Sequence, residues 1–193
     1  ELYLCQHNLK AMVPVLNSTA GYGLLFDAGC AMMFKDNSEG SFVELEAAKQ
    51  IDYYFMKGKT MDAVVANYRM LTGNSPMMPL YLFGYIQSKE RYVSSDDLIN
   101  TLKEYRQRQI PIDMIVQDWN YWPEGQWGNM SMNPKFYPDK RKLADEIHSL
   151  HAKLMISIWP NAMNCPQHEE FKRKGWLLSG TSVYDAFNPL ARK

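Results

Sequence analysis

The chain has 193 residues, with 21 Lys and Arg set against 21 Asp and Glu, so its formal net charge is zero. That balance leaves no electrostatic footprint for nucleic acid or for an anionic membrane surface. With 46% apolar and 22% charged residues, the composition is that of an ordinary globular chain able to bury a core, which excludes a disordered or fibrous polymer.

Residues 1–56 read as all-β. Short apolar or alternating runs over 13–16, 22–26 and 42–47 are separated by turn residues at Asn17-Ser18, Gly21, Gly23, Gly29, Asp36-Asn37 and Gly40. Ile51, Tyr53 and Phe55 alternate with Asp52, Tyr54 and Met56, the period of a half-buried strand. Four or five strands with no visible beginning suggest the end of a β-sandwich. Residues 57–79 read as a connector: Thr60 caps a helix to about Leu71, with Val64, Val65, Tyr68 and Leu71 on one stripe and Gly73 as its stop.

From residue 80 the pattern becomes strand, helix, strand. Apolar runs over 80–85, 112–117 and 154–158 alternate with helical patterns. The first helix, 95–108, has Ser94 and Asp97 as a capping box and Arg106 and Arg108 near the negative end of its dipole. The second follows Pro138-Asp139, with Leu143, Ile147 and Leu150 at helical spacing; a third runs over 167–174 and stops at Gly175. Near-continuous apolar strands joined by helices imply parallel strands covered on both faces. The class is α/β, and both an open doubly wound sheet and part of a (β/α)8 barrel fit. Gly84 to Lys89 lacks the further glycines of a phosphate loop, which weakens a nucleotide-binding version. Three strands are too few to close a barrel, so on the barrel reading the chain is expected to be truncated.

In either architecture chemistry gathers at the carboxyl ends of the parallel strands. The second strand ends in Gln117-Asp118-Trp119-Asn120-Tyr121-Trp122, and the third in Trp159-Pro160-Asn161. Asp118 is a carboxylate at the rim of a cleft, flanked by aromatic rings. It can hold sugar hydroxyls by charge-assisted hydrogen bonds while indoles cover the apolar ring face; alternatively it caps a loop and the tryptophans are packing. Trp119, Tyr121, Trp122 and Trp127 fall within nine positions, and without a basic excess to hold phosphates they suit a sugar better than a base.

Other candidates are weaker. His148 and His151, with Asp145, have a spacing compatible with metal ligation but read as a solvated helix face. The thirteen methionines, Met32-Met33 among them, read as core filler. Asn17-Ser18-Thr19 and Asn129-Met130-Ser131 match the glycosylation triplet. Cys5, Cys30 and Cys165 are odd in number and lack metal spacing, so they suggest neither a disulfide framework nor a zinc site and read as small core residues. No apolar run approaches the roughly 18 residues that cross a bilayer, and Glu1 does not open a positively charged leader, so any targeting segment is expected to have been lost. No metal, cofactor, nucleic-acid or membrane partner is expected.

Several stretches in order resemble glycoside hydrolase family 31, the retaining α-glucosidases and α-xylosidases. They are Tyr22-Gly23-Leu24-Leu25-Phe26-Asp27, Ile51-Asp52-Tyr53-Tyr54-Phe55, Phe83-Gly84-Tyr85-Ile86-Gln87-Ser88, Ile110-Pro111-Ile112-Asp113, Gln117-Asp118-Trp119, Phe136-Tyr137-Pro138-Asp139 and Ile156-Ser157-Ile158-Trp159-Pro160. The resemblance implies the end of an N-terminal β-sandwich over 1–56, the connector over 57–79, and the first three β/α units of a (β/α)8 TIM barrel over 80–193. It implies part of a retaining, exo-acting α-glycosidase that removes terminal α-linked xylose or glucose from oligosaccharides. The Gln117 to Trp122 run is more similar to the α-xylosidase branch. The alternative is a noncatalytic carbohydrate-binding domain on the same scaffold.

The resemblance also implies site residues. Asp118 matches the position that holds the nonreducing-end sugar and Trp159 an aromatic of the same pocket, with Trp119 and Trp122 beside them. The family's nucleophile and acid/base aspartates match nothing here; Tyr184-Asp185-Ala186-Phe187-Asn188-Pro189 resembles the segment before the nucleophile strand. No catalytic residue is therefore assigned, the chain alone is expected to be inactive, and an unclosed strand edge is expected to drive self-association.

Overall fold

A computed structural model describes residues 1–7 and 9–193. The chain divides into two compact units, Glu1–Met77 and Met78–Lys193.

The first unit holds two three-stranded antiparallel sheets, ordered β1-β4-β5 and β2-β3-β6. Their strands are β1 (Leu2–Leu4), β2 (Val15–Ser18), β3 (Tyr22–Phe26), β4 (Met32–Asn37), β5 (Gly40–Leu45) and β6 (Tyr53–Lys57). Leu2–Leu4 and Met32–Asn37 add to the runs legible in the sequence, so the strand number exceeds the expected four or five. The alternation in β6 sorts its side chains: Met56 is buried at 3% exposure, while Tyr53 and Phe55 line an apolar groove of about 870 Å³ with Leu24, Phe26, Phe34 and Val43. Tyr22 stacks on Phe55 at 5.6 Å.

Helix α1 (Met61–Thr72) starts where the Thr60 hydroxyl accepts from the Ala63 N–H and stops at Gly73. It packs on the β2-β3-β6 sheet. Val64 is fully buried there, and the Asn67 side chain donates to the Lys57 carbonyl at 2.7 Å. The expected stripe is only partly covered, since Val65 and Leu71 remain exposed.

The second unit is a parallel sheet in the order β7-β8-β9 with helices between: β7 (Ile86–Gln87), α2 (Ser95–Gln107), β8 (Met114–Gln117), α3 (Lys140–Ser149), β9 (Lys153–Ile156) and α4 (Pro166–Lys174). The three strands form an open sheet among the described residues; they do not close a barrel. No helix among the described residues is long and apolar enough to cross a membrane.

The strand expected over 80–85 is absent. Leu80–Phe83 is a 3₁₀ turn started by Pro79, with the Leu82 N–H donating to the Pro79 carbonyl at 3.0 Å. Leu80 and Phe83 face solvent. The chain joins the sheet only after Gly84, where a β-carbon would lie 1.8 Å from an Asp113 carboxylate oxygen. Tyr85 then accepts from the Asp113 and Met114 N–H groups, which fixes the register of β7 on β8.

β8 is buried along its whole length, as befits a central parallel strand covered on both faces. The core around it joins Leu98 and Leu102 of α2, Ile115 of β8 and Leu143 and Ile147 of α3, with Tyr92, Tyr121, Trp122 and Tyr137 above. The capping box at Ser94 is one-sided: its hydroxyl accepts from the Asp97 N–H, but the Asp97 carboxylate accepts from Val93 instead of Ser94. Arg106 serves the fold more than its own helix dipole. Its guanidinium donates to the carbonyls of Leu150 and His151, just beyond the end of α3, at 2.8 and 3.0 Å, and to that of Ile112, ahead of β8, at 2.8 Å.

Candidate carbohydrate site at the strand ends

Parallel pairing sets the carboxyl ends of β8 and β9 side by side: Gln117 opposes Ile156, and the Ser157 N–H continues the ladder to the Gln117 carbonyl at 3.0 Å. The chain leaving β8 is therefore delivered next to the chain leaving β9. Two loops, 118–137 and 157–165, form the rim.

The base of the rim is a buried polar network. Gln117 is fully shielded, and its side chain is satisfied at both ends. Nε2 donates to the Tyr92 carbonyl at 3.1 Å and the Asp118 carbonyl at 3.2 Å, while Oε1 lies 3.0 Å from the Tyr137 hydroxyl. The single Tyr137 proton is shared with the Tyr92 carbonyl, 2.5 Å away. Burial, helped by the Asp97 carboxylate, pushes the Tyr137 hydroxyl up to about 12. A polar residue closing an otherwise apolar strand was the available signal for this anchor.

Asp118 stands directly above. It is half-buried, and its Oδ1 accepts the Trp119 N–H at 2.7 Å; Oδ2 has no hydrogen-bond partner among the described residues. The carboxylate thus caps its own loop with one oxygen. Neither oxygen is paired with a cation among the described residues.

The tryptophans separate into two classes. Trp122 and Tyr121 are each 4% exposed and packed edge to face at 5.1 Å, so Trp122 is core; its remaining surface borders a cavity of about 620 Å³ with Arg91, Asn120, Glu124 and Phe136. Trp119 is half-buried against that core. Trp127 and Trp159 are each 40% exposed. The indoles of Trp119, Trp127 and Trp159 form a continuous array, with centroids 5.9 Å apart in the first pair and 5.4 Å in the second. Trp127 is the member that joins the two loops.

Beyond Trp159 opens a hollow of about 750 Å³ whose aromatic wall also includes Tyr121, Phe171, Trp176 and Tyr184. Phe171 and Trp176 pack together at 5.9 Å where α4 ends at Gly175. Phe171 and Trp176 carry no motif of their own, and the turn after α4 brings them together. Arg192 and Lys193 also line the hollow, whereas Asp118, Trp119 and Trp127 do not. Aromatic walls with a few polar groups suit a small ligand.

The remaining candidates lie apart from this rim. His148 and His151 are exposed, and no group of three His, Cys, Asp or Glu side chains able to hold a metal exists among the described residues. Asn129 is 5% exposed and hydrogen-bonded to Gln126 and Ser131, so its glycosylation triplet is inaccessible in the fold. Cys165 is buried, whereas Cys5 and Cys30 are half-buried.

The family model for the glycosyl hydrolases family 31 TIM-barrel domain matches residues 75–193. The chain belongs to glycoside hydrolase family 31. It is 37% identical over 191 residues to an alpha-xylosidase of Saccharolobus solfataricus, a match covering 98% of this chain and 26% of that protein. To alpha-xylosidase A of Aspergillus niger it is 26% identical, covering 93% and 27% respectively. Among solved structures, this family 31 chain is similar to a GH31 alpha-xylosidase from a soil metagenome complexed with xylose, with 30% identity and a TM-score of 0.85. That match covers all of this chain and 30% of the other. The chain spans about a quarter of the length of these curated relatives. The rim lies within the residues that match the family's TIM-barrel domain, and the relatives named above are alpha-xylosidases.

Proposed function

We propose that this chain supplies the sugar-holding rim of a retaining, exo-acting α-glycosidase that removes terminal α-linked xylose, or else glucose, from oligosaccharides. Residues 80–193 are then the first three β/α units of the barrel, and the two sheets of the first unit are the end of the β-sandwich that precedes it. The observation that carries the reading is the Asp118 oxygen without a partner among the described residues, one residue before Trp119, whose indole begins an array that continues through Trp127 to Trp159. A carboxylate accepts two sugar hydroxyls strongly, and an indole face covers the apolar side of the ring. The preference for xylose rests on the α-xylosidases among the similar proteins, one of them complexed with xylose.

In this reading none of the 193 residues is the nucleophile or the acid/base, so the polypeptide binds without turning over. Calorimetric titration of the chain with xylose tests it. Asp118→Asn can keep the loop bond to Trp119, because an amide oxygen still accepts, while it removes the charge that strengthens bonds to sugar hydroxyls. The expected result is loss of xylose binding with an unchanged melting temperature. Equal binding by wild type and Asp118→Asn, or hydrolysis of an aryl α-xyloside by the purified chain, would overturn the reading.

A further inference from the structure

Trp127 is exposed, rigidly held and one step outside the hollow. Two glycines with left-handed backbone, Gly125 at φ 75° and Gly128 at φ 79°, bracket the turn that carries it. At Gly128 a β-carbon would sit 2.0 Å from the Asn161 carbonyl oxygen, so the β8 loop lies directly on the β9 loop at this point. The Trp127 carbonyl accepts the Met163 N–H at 2.9 Å, and the Gly125 carbonyl accepts from the Asn164 side chain at 3.2 Å. The indole is clasped between Trp119, tilted by 44°, and Trp159, which meets it nearly edge-on at 75°. Edge-on contact does not cover an indole as parallel stacking would, and 40% of Trp127 faces solvent. Trp159 borders the hollow, whereas Trp127 stands outside its lining among the described residues.

We infer that Trp127 is the stacking platform for the second sugar ring of the ligand, the ring next to the terminal sugar, and so determines specificity for oligosaccharides over monosaccharides. The inference rests on the proposed sugar-binding role of the rim. A fixed aromatic surface binds without the ordering cost that a mobile loop would carry. The site takes a saccharide of at least two rings; Arg192 and Lys193 lie in the lining of the hollow that Trp159 borders.

The test compares xylose with an α-xylosyl glucose disaccharide, titrated into wild type, Trp127→Ala, Trp127→Phe and Asp118→Asn. The expected pattern is a loss of about tenfold in disaccharide affinity for Trp127→Ala, with xylose affinity unchanged and partial recovery in Trp127→Phe. If Trp127→Ala weakens both sugars equally, Trp127 only supports Trp159 and the inference fails. It fails alone if Trp127→Ala binds the disaccharide normally while Asp118→Asn loses both sugars. If wild type binds neither sugar, the reading of the rim falls and takes the inference with it.

Discussion

Gln117 and Tyr92 are joined across two strand-end loops: the Gln117 side-chain amide donates to the Tyr92 carbonyl at 3.1 Å, wholly out of contact with water. The same amide holds the Asp118 carbonyl, so the residue below the candidate sugar ligand sets the direction in which its loop departs. Gln117→Leu leaves the Asp118 carbonyl without that donor in a dry site, at a cost of about 1–3 kcal/mol. A urea titration should show the lowered midpoint at unchanged slope. An unshifted midpoint would mean that the network contributes nothing to stability.

Alkaline stability follows from Tyr137. The unfolded chain ionises this phenol near 10, whereas burial raises it to about 12 in the fold. Its contribution is therefore fully present below pH 10 and lost as the pH rises towards 12. Tyr92 and Tyr121, also raised by burial, act in the same direction. Tyr137→Phe should flatten, without abolishing, the fall in urea midpoint above pH 10. A variant as steep as wild type would exclude Tyr137 as a source.

Trp122 and Trp159 should respond in opposite ways to truncation. Trp122→Ala empties part of the core and should cost about 3–5 kcal/mol, read by thermal melting. Trp159→Ala removes an exposed ring and should leave the melt within a few degrees while xylose binding is lost. The reverse pattern would exchange their roles.

Much of this arrangement was legible because burial in a parallel sheet leaves a simple trace. The β8 run, the helical stripe of α3 and the Thr60, Ser94 and Gly175 boundaries all lie where periodicity and capping place them. The run over 80–85 misled because its apolar residues mimic a buried strand, yet Pro79 starts a tight turn and Leu80 and Phe83 face outward. Met32–Asn37 was hidden since methionines and a terminal Asp-Asn carry no strand preference, and only pairing with β1 and β5 makes it a strand. At the site, strand-end position and the family resemblance brought Asp118, Trp119, Trp122 and Trp159 forward but could not divide buried Trp122 from exposed Trp127. Both lie in the same aromatic stretch, and the difference comes from Gly125 and Gly128 turning the chain between loops.

Among the described residues β9 pairs on one side only, with β8, and it exposes Met155, Ile156 and, just beyond the strand, Ile158. Open pairing groups beside apolar side chains favour association with another chain. Sedimentation velocity on the 193-residue chain should show dimers or larger species, reduced by Ile158→Lys. A concentration-independent monomer would contradict this.

The indole N–H resonances of the five tryptophans report most directly on whether Asp118 and its neighbours hold a sugar. During a xylose titration the Trp119 and Trp159 signals should move while buried Trp122 stays still, and Asp118→Asn should abolish the movement. Signals that stay fixed in wild type, or move equally in Asp118→Asn, would contradict a sugar held at this rim.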